Sequence, residues 1–313
     1  MKYVHRPHLL LLKHPAAPSD ITLAHAGSLE MLQELQSEAM LLGDFRSPVE
    51  GPLRRFCAKA KSVYATLGAW AADYFIVESC RRLVHRTVIG REDFWADADR
   101  RQLGEMLSGI STREGRHFAD PDTVSPKVGC LLSFLKEHHH DAFSGIVFVQ
   151  ERVTAHALAA VIAHHPMTRD LFCCQACVGA TQGAKNQNIW DGLGAADVQT
   201  TLRQFRDGRL NLVVATNVLE EGIDLTACNV VVCFDQPGNI KSFIQRRGRA
   251  RQEKATFAIL VSADCDSQTI SQWRVLEEEM VRLYQDHERT IQDLEAVESH
   301  PEPVSYRLKL PTG

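Results

Sequence analysis

From Pro126 onward, short apolar runs rich in β-branched residues alternate with stretches of helical periodicity. Alternation of this kind is typical of a parallel sheet covered by helices. The pattern predicts strands at 146–149, 174–178, 212–215, 230–234 and 257–261, with helices near 127–138, 152–164, 197–206 and 240–248. The sequence therefore predicts an α/β fold built on a parallel sheet.

Polar residues or glycine follow four of the predicted strands, at 150–152 and from 179, 216 and 235 onward. The carboxyl ends of parallel strands meet at one edge of a sheet, and open sheets of this class bind ligands there. We therefore expect these segments to line the working surface of the domain.

Residues 28–120 show helical periodicity instead of this alternation. Apolar residues in their most regular stretch recur at three- and four-residue intervals: Leu53, Phe56, Ala60, Val63 and Leu67. Spacing of this kind is typical of amphipathic helices with one buried face. It predicts a helical bundle over 28–120, between an N-terminal segment at 1–27 that leads into the sheet domain and the sheet domain itself at 125–265.

Beyond the sheet, apolar residues from Trp273 to Leu294 again recur with helical spacing. They predict a long amphipathic helix over 266–300, which ends before Pro301 because proline cannot continue a helix. The helix either packs back on its own sheet or reaches beyond its domain. The tail at 301–313 is expected to enter another domain.

The net charge of −4 conceals a strong separation of charge along the chain. Residues 241–254 contain six basic residues and one acid, whereas residues 277–302 contain nine acids and two arginines. A basic patch is therefore present in a chain that is acidic overall, and such a patch is a feature of nucleic-acid-binding proteins.

Nine cysteines occur at irregular positions, mostly within apolar segments, which is typical of reduced and buried thiols. Cys174 and Cys177 have C-x-x-C spacing, but only His164 and His165 could complete a site, so we expect no metal. No apolar run is long enough to span a membrane, and the N-terminal run lacks the features of a secretory signal. These features predict a cytoplasmic protein, with the nucleus as the alternative.

Residues 215–225 follow a predicted strand and have the sequence Ala-Thr-Asn-Val-Leu-Glu-Glu-Gly-Ile-Asp-Leu. Gly222 allows a ligand to approach the backbone closely, and Thr216 offers a hydroxyl and an N–H to a phosphate. Asp224 can accept hydrogen bonds from ribose hydroxyls. Taken alone, the segment is equally consistent with an ordinary acidic turn after a strand.

Residues 245–251, Gln-Arg-Arg-Gly-Arg-Ala-Arg, place four guanidinium groups within seven residues. Such a density of charge repels itself unless phosphates or carboxylates compensate it. An isolated run of this kind is most often a solvated surface or a localisation signal. The segment at 215–225, about thirty residues upstream, favours a phosphate-binding role instead.

Together these two segments resemble motifs V and VI of superfamily 2 helicases, in the branch that contains Dicer and the RIG-I-like RNA sensors. Residues 144–152 resemble motif IV, and residues 67–73 are similar to the helical insertion of Dicer helicases. Residues 239–244 look most like fungal Dicer-like proteins. The resemblance implies a RecA-like helicase C-terminal lobe with an inserted helical bundle and a long C-terminal helix of the pincer type.

In that family, two RecA-like lobes hold ATP between them, and double-stranded RNA crosses both lobes and the helical insertion. The resemblance implies that Arg249 and Arg251 reach the γ-phosphate and that Gln245 links the nucleotide to the RNA. It implies a position near the nucleotide for a further set: Glu221, Gly222, Asp224 and Arg247. It implies contacts with the RNA backbone for Gln150, Arg152, Lys185, Gln199 and Thr216.

The sequence also departs from a complete helicase. It contains no G-x-x-x-x-G-K-[ST] phosphate loop and no Asp-Glu-x-His segment, so the magnesium ion that accompanies ATP would be held by a missing lobe. It contains no ribonuclease III acidic cluster either. We therefore expect no ATP hydrolysis and no RNA cleavage by this chain alone.

The leading hypothesis is a truncated or split Dicer-like protein that acts in RNA silencing and antiviral defence. Its second lobe would work with an N-terminal RecA-like lobe, supplied in cis or in trans, and full-length relatives would add downstream ribonuclease III domains. Three alternatives stay open: a non-catalytic RNA-binding or regulatory fragment, one half of a RIG-I-like RNA sensor, and an inert gene fragment.

Overall fold

The computed structural model describes residues 7–15, 27–41, 49–89, 97–111, 124–179, 188–190, 193, 197–219, 227–263 and 270–276. The chain divides into two compact units, Met1–Cys265 and Asp266–Gly313. In the second unit, residues 270–276 are helical. The rest of the long helix predicted over 266–300, and the tail at 301–313, lie outside the described residues.

A parallel sheet of six strands forms the centre of the first unit, as far as the described residues show. Its strands are β1 (His8–His14), β2 (Gly145–Phe148), β3 (Cys174–Cys177), β4 (Leu212–Ala215), β5 (Val230–Cys233) and β6 (Thr256–Ser262). Their order across the sheet is β1-β6-β5-β2-β4-β3, and every neighbouring pair is parallel. The predicted α/β class and the five predicted strands are confirmed.

The first strand, β1, is not predicted by the sequence pattern. It pairs with β6 from His8 opposite Thr256 to His14 opposite Ser262, although about 250 residues separate these partners along the chain. The segment at 1–27 therefore contributes an edge strand to the sheet. The helices between β1 and β2 are consequently inserted within the sheet fold.

Strands β2, β4 and β5 are buried along their whole length. Their sequences, Gly-Ile-Val-Phe, Leu-Val-Val-Ala and Val-Val-Val-Cys, carry no polar position. Continuous apolar runs of this kind are typical of central strands that are covered on both faces. They supply the hydrophobic centre on which the functional edge of the sheet is built.

The α-helices among the described residues of the first unit are α1 (Gly27–Leu41), α2 (Glu50–Leu67), α3 (Ala69–Ile89), α4 (Asp97–Ser111), α5 (Pro126–Glu137), α6 (Arg152–His164), α7 (Val198–Arg206) and α8 (Ile240–Arg247). Side-chain caps fix where three of them begin: Ser125, Asp197 and Asn239 accept hydrogen bonds from backbone N–H groups in the first turns of α5, α7 and α8. Each cap satisfies N–H groups that have no partner within the helix.

Helices α1 to α4 form the bundle expected from the apolar periodicity. The stripe of α2 is buried as predicted, from Leu53 to Leu67. The centroid of the Phe56 ring lies 5.4 Å from that of Phe75 within the bundle and 6.1 Å from that of Trp190 in the segment after β3. Helix α6 contacts both β3 and β4 of the sheet and α2 and α3 of the bundle. Bundle and sheet thus share one continuous core.

Candidate nucleotide and nucleic-acid interface

Strands β2, β4 and β5 end side by side at one edge of the sheet. Phe148, the last residue of β2, lies opposite Ala215 of β4 and opposite Cys233 of β5. The residues that follow these strands lie together at what we call the carboxyl edge: Gln150, Thr216 and Asp235. This is the edge at which the sequence pattern predicts the ligand-binding surface.

Asp235 binds three neighbouring elements at the carboxyl edge. Its Oδ1 lies 2.8 Å from Nζ of Lys127 in α5, and its Oδ2 accepts a hydrogen bond of 2.9 Å from the N–H of Gln150. Its backbone carbonyl accepts a hydrogen bond of 3.2 Å from Nη1 of Arg246 in α8. Lys127 also lies over the Phe234 ring, 4.0 Å from its centroid. These contacts fix the geometry of the edge.

Two of the residues assigned to RNA, Gln150 and Thr216, follow adjacent strands at this edge. The Gln150 side chain is exposed, and its Nε2 donates to the carbonyl of Gln236 at 3.3 Å. Thr216 is only 5% exposed, and its N–H, expected to be available to a phosphate, donates to the carbonyl of Cys177 at 3.4 Å. The pair therefore presents one accessible amide and one largely buried threonine.

Arg152 and Gln199 begin helices that flank the sheet. Arg152 is the first residue of α6, directly after the carboxyl edge, and is half-buried. Gln199 lies in the first turn of α7, where its N–H donates to Oδ1 of the capping Asp197 and its side chain is exposed. In a parallel α/β fold, the first turns of such helices lie near the carboxyl ends of the strands.

Arg246 belongs to the cluster at 245–251, although the resemblance implies no role for it. It is 4% exposed, donates to the carbonyl of Asp235, and places its guanidinium 5.1 Å from the centroid of the Phe148 ring. Side chains on a helix lean towards its N-terminus, so Arg246 reaches back from the end of α8 to the carboxyl edge. This arginine anchors α8 to the ends of β2 and β5.

The residues Gly248–Arg251 form a turn after α8, which we call the arginine turn. The N–H of Cys228 donates to the carbonyl of Arg249, and the N–H of Arg251 donates to the carbonyl of Cys228, each at 3.2 Å. Ala250 and Cys228 form an isolated parallel bridge. Because Cys228 precedes β5, the arginine turn lies at the amino-terminal end of that strand. The structure therefore separates Arg249 and Arg251 from Gln150 and Thr216.

The side chains of the arginine turn lie close to the Cys228 thiol. Burial raises the pKa of Cys228 to about 12, while a hydrogen bond from Ser144 and the charges of Arg249 and Arg251 act in the opposite direction. Arg249 is 8% exposed, whereas Arg251 is exposed and its Nε donates to the carbonyl of Gly248 at 2.6 Å. Two guanidinium groups thus act on one small region next to β5.

Two further members of the cluster, Gln245 and Arg247, lie in the last turn of α8 and are half-buried. Gly248 follows them with φ of −64°, so a positive φ is not the reason that a glycine occupies this position. A Cβ on Gly248 would lie 3.2 Å from the carbonyl oxygen of Ile244 and 3.5 Å from that of Gln245. The glycine allows the chain to pass close to the end of the helix.

Four residues assigned from the resemblance lie outside the described residues: Lys185, Glu221, Gly222 and Asp224. Cys174 and Cys177, the C-x-x-C pair, lie in β3, where burial raises the pKa of both thiols, that of Cys177 to about 11. In the described ranges no group of three or more His, Cys, Asp or Glu side chains is placed to hold a metal ion. Nor does any helix there have the length and hydropathy required to cross a bilayer.

Known proteins similar to this chain are helicases and Dicer-like proteins. Residues 126–253 match the family described as helicase conserved C-terminal domain. A Dicer-like protein 2 of Aspergillus oryzae is 45% identical over 80% of this chain, and a Dicer-like protein 2 of Aspergillus fumigatus is 40% identical over 98% of it. A solved structure, the C-terminal domain of the DEAD-box protein Dbp5, is 22% identical, covers 49% of this chain and 79% of its own, and has a TM-score of 0.37.

The chain spans only 19% and 24% of the lengths of these two relatives. The match therefore concerns one segment of larger proteins. That segment contains the arginine cluster, the carboxyl edge and, in the longer alignment, nearly all of the helical bundle as well. The chain is therefore similar to one segment of fungal Dicer-like proteins, and its residues 126–253 match the helicase conserved C-terminal domain.

Proposed function

We propose that this chain is the second lobe of an ATP-dependent RNA helicase module in a Dicer-like protein. The observation that carries the proposal is the placement of the arginines. Arg246 anchors α8 to the carboxyl edge, whereas the backbones of Arg249 and Arg251 are both hydrogen-bonded to Cys228 beside β5. Two cationic groups that act on one small region are suited to a multiply charged anion.

In this proposal the anion is the γ-phosphate of ATP, which is held together with its magnesium ion by another RecA-like lobe. ATP supplies a phosphoryl group on which negative charge develops during transfer. Arg249 and Arg251 would orient that group and stabilise its charge, and Gln245 would link the nucleotide to the RNA. The remaining residues near the nucleotide would be Glu221, Gly222, Asp224 and Arg247.

Double-stranded RNA would lie along the carboxyl edge, and the nucleotide would lie near the opposite, amino-terminal end of β5. Contacts would come from Gln150, Arg152, Lys185, Gln199 and Thr216. Amide, hydroxyl and cationic groups are suited to phosphate and 2′-hydroxyl groups, so recognition would be independent of sequence. We propose RNA silencing and antiviral defence as the setting, with downstream ribonuclease III domains in the same larger protein.

The test is reconstitution of ATPase activity from the full chain, a cognate first lobe and double-stranded RNA. We expect RNA-stimulated hydrolysis in the mixture and a loss of roughly 10³-fold in turnover for Arg249→Ala, as for arginines that stabilise a transferred phosphoryl group. RNA affinity should change little, because the arginine turn lies away from the carboxyl edge. Arg209→Ala, at an exposed position in the loop before β4, is the matched control and should retain activity.

The absence of a phosphate loop from the sequence favours one alternative, a non-catalytic RNA-binding module. Such a module would lose RNA affinity steeply with increasing salt, because binding would depend on phosphate contacts. It would show no effect of ATP with any partner lobe. A mixture that binds RNA in this way but never hydrolyses ATP would therefore overturn the helicase proposal in favour of the module.

A further inference from the structure

A continuous series of hydrogen bonds connects the carboxyl edge with the arginine turn. The N–H of Gln150 donates to Oδ2 of Asp235 at 2.9 Å, and Nη1 of Arg246 donates to the carbonyl of Asp235 at 3.2 Å. The N–H of Arg249 then donates to the carbonyl of Arg246 at 3.0 Å, and the N–H of Cys228 to the carbonyl of Arg249 at 3.2 Å. Every link is within ordinary hydrogen-bonding distance.

Asp235 is the residue of this series that joins separate elements. Both oxygens of its carboxylate are occupied, one by Lys127 and the other by the N–H of Gln150. The ion pair is largely shielded from water, with 21% and 20% of the two side chains exposed, so solvent screens it less than a surface pair. Hydrogen bonds to a charged group are stronger than those between neutral groups. A displacement of Gln150 therefore acts on Asp235 directly.

The two candidate surfaces lie on opposite ends of β5, so any influence of RNA on the arginines must cross that strand. Arg246 connects the two ends of β5. Its side chain contacts Asp235 and Phe148 at the carboxyl end, and its carbonyl accepts a hydrogen bond from the N–H of Arg249 at the amino-terminal end. We infer that Asp235 is a positioning residue that couples RNA contact at the carboxyl edge to the placement of Arg249 and Arg251. The inference rests on the proposed function, since it assumes ligands at both surfaces.

The coupling is tested by the ratio of RNA-stimulated to RNA-free turnover, measured at saturating RNA with the full chain and a cognate first lobe. For Asp235→Asn, which cannot form an ion pair with Lys127, we expect this ratio to fall roughly tenfold, within the usual range of coupling between sites. The loss should appear in kcat and not in the RNA concentration at half-stimulation. Lys127→Met keeps the bond between Asp235 and Gln150 and should lower the ratio less.

Asp170→Asn is the matched control, because Asp170 forms an ion pair with Arg169 at 3.5 Å but its side chain is 81% exposed. It should leave the ratio unchanged. A folded Asp235→Asn chain with an unchanged ratio overturns the inference and leaves the proposed function standing. An equal fall in RNA-free and RNA-stimulated turnover also overturns it, since a purely structural defect has that result. A wild-type mixture without any ATPase activity overturns the proposed function itself.

Hydrogen exchange on the unmodified chain keeps the inference testable if Asp235→Asn does not fold. Binding of blunt double-stranded RNA should slow exchange at the amide of Gln150 and also at the amides of Arg249 and Cys228. The latter two report on the far end of the hydrogen-bond series. Protection of Gln150 without any change at Arg249 and Cys228 would overturn the coupling, although RNA binding would still be demonstrated.

Discussion

Arg246 owes its buried position to the face of α8 on which it lies. Phe243, three residues earlier, is fully buried on the same helix, and Arg246 follows it into the protein. There the guanidinium donates to a carbonyl and lies over an aromatic ring instead of facing solvent. A charge can be held at such a site only because these partners replace water.

Replacement of Arg246 by Met should destabilise the protein while leaving most of its apolar volume in place. The change removes the hydrogen bond to Asp235 and the cation–π contact with Phe148. Together these predict a loss of about 2–3 kcal/mol in the free energy of unfolding, measured by urea denaturation followed by circular dichroism. Arg203→Met, at an exposed position on α7, should change it by less than about 0.5 kcal/mol, and equal losses would refute the anchoring role.

His156 makes stability depend on pH. Burial, together with the charges of Arg152 and Arg82, lowers its pKa to about 4, and its Nε2 has no hydrogen-bond partner among the described residues. In the unfolded chain the pKa returns to about 6.5, so the unfolded state binds the proton first as the pH falls. His156 should therefore leave the free energy of unfolding unchanged above about pH 6.5 and lower it by up to about 3 kcal/mol towards pH 4.

His156→Gln should remove most of this slope, because glutamine does not titrate. Urea unfolding between neutral pH and pH 4 measures it. His165, whose pKa is also lowered by burial, should account for a smaller slope that persists in the variant. Identical slopes for the wild type and for His156→Gln would show that another group is responsible.

At the scale of elements, Gly145 at the start of β2 is constrained by packing. A Cβ on this residue would lie 2.8 Å from two atoms of the Phe143 ring and 3.1 Å from Cδ1 of Leu212. Gly129, in the first turn of α5, would have nothing within 4 Å of its Cβ. A Cβ would therefore clash with neighbouring side chains at Gly145, whereas it would meet open space at Gly129.

Substitution of these glycines by alanine should have opposite effects. Gly145→Ala must displace the Phe143 ring and should lower the free energy of unfolding by about 1–3 kcal/mol. Gly129→Ala should raise it by about 0.5–1 kcal/mol, because alanine restricts the unfolded chain and favours a helix. Thermal unfolding of both variants measures the difference, and a stabilised Gly145→Ala chain would contradict the packing at β2.

The sequence predicts elements whose pattern is local and misses features that depend on distant partners. The central strands are continuous apolar runs, and the helices have apolar residues at regular three- and four-residue intervals. Both kinds of element are therefore predicted. Strand β1 is half-exposed, and among the described residues its partner is β6, about 250 residues away, so no local pattern marks the pairing. At the candidate site, the arginines look alike in sequence. The spacing of Arg246 from the buried Phe243 is the local signal that could have identified it as a buried arginine.

Within the first unit, the bundle and the sheet share a core. Phe56 of α2 is fully buried and contacts both Phe75 of the bundle and Trp190, which belongs to the segment after β3. Lys59 of the same helix forms an ion pair of 3.0 Å with Glu151, directly after the carboxyl edge. The bundle is therefore joined to the sheet through apolar packing as well as through charge.

Phe56→Ala should destabilise bundle and sheet together. Removal of a buried phenylalanine predicts a loss of about 3–5 kcal/mol, and because the core is shared, β4 should be affected as much as α2. Hydrogen exchange at amides of both elements measures this. Leu11→Ala, at a partly exposed position on β1, is the control and should cost far less. Loss of protection in α2 alone would show that the two regions fold independently.

The pairing of β1 with β6 has a consequence for synthesis on the ribosome. Strand β1 can pair with β6 only after residues 256–262 have also left the exit tunnel, about 250 residues later. During that interval its apolar residues, Leu9–Leu12, have no native neighbour along the strand, and unpaired strand edges promote aggregation. Chaperones should therefore be needed in the interval between the synthesis of β1 and that of β6.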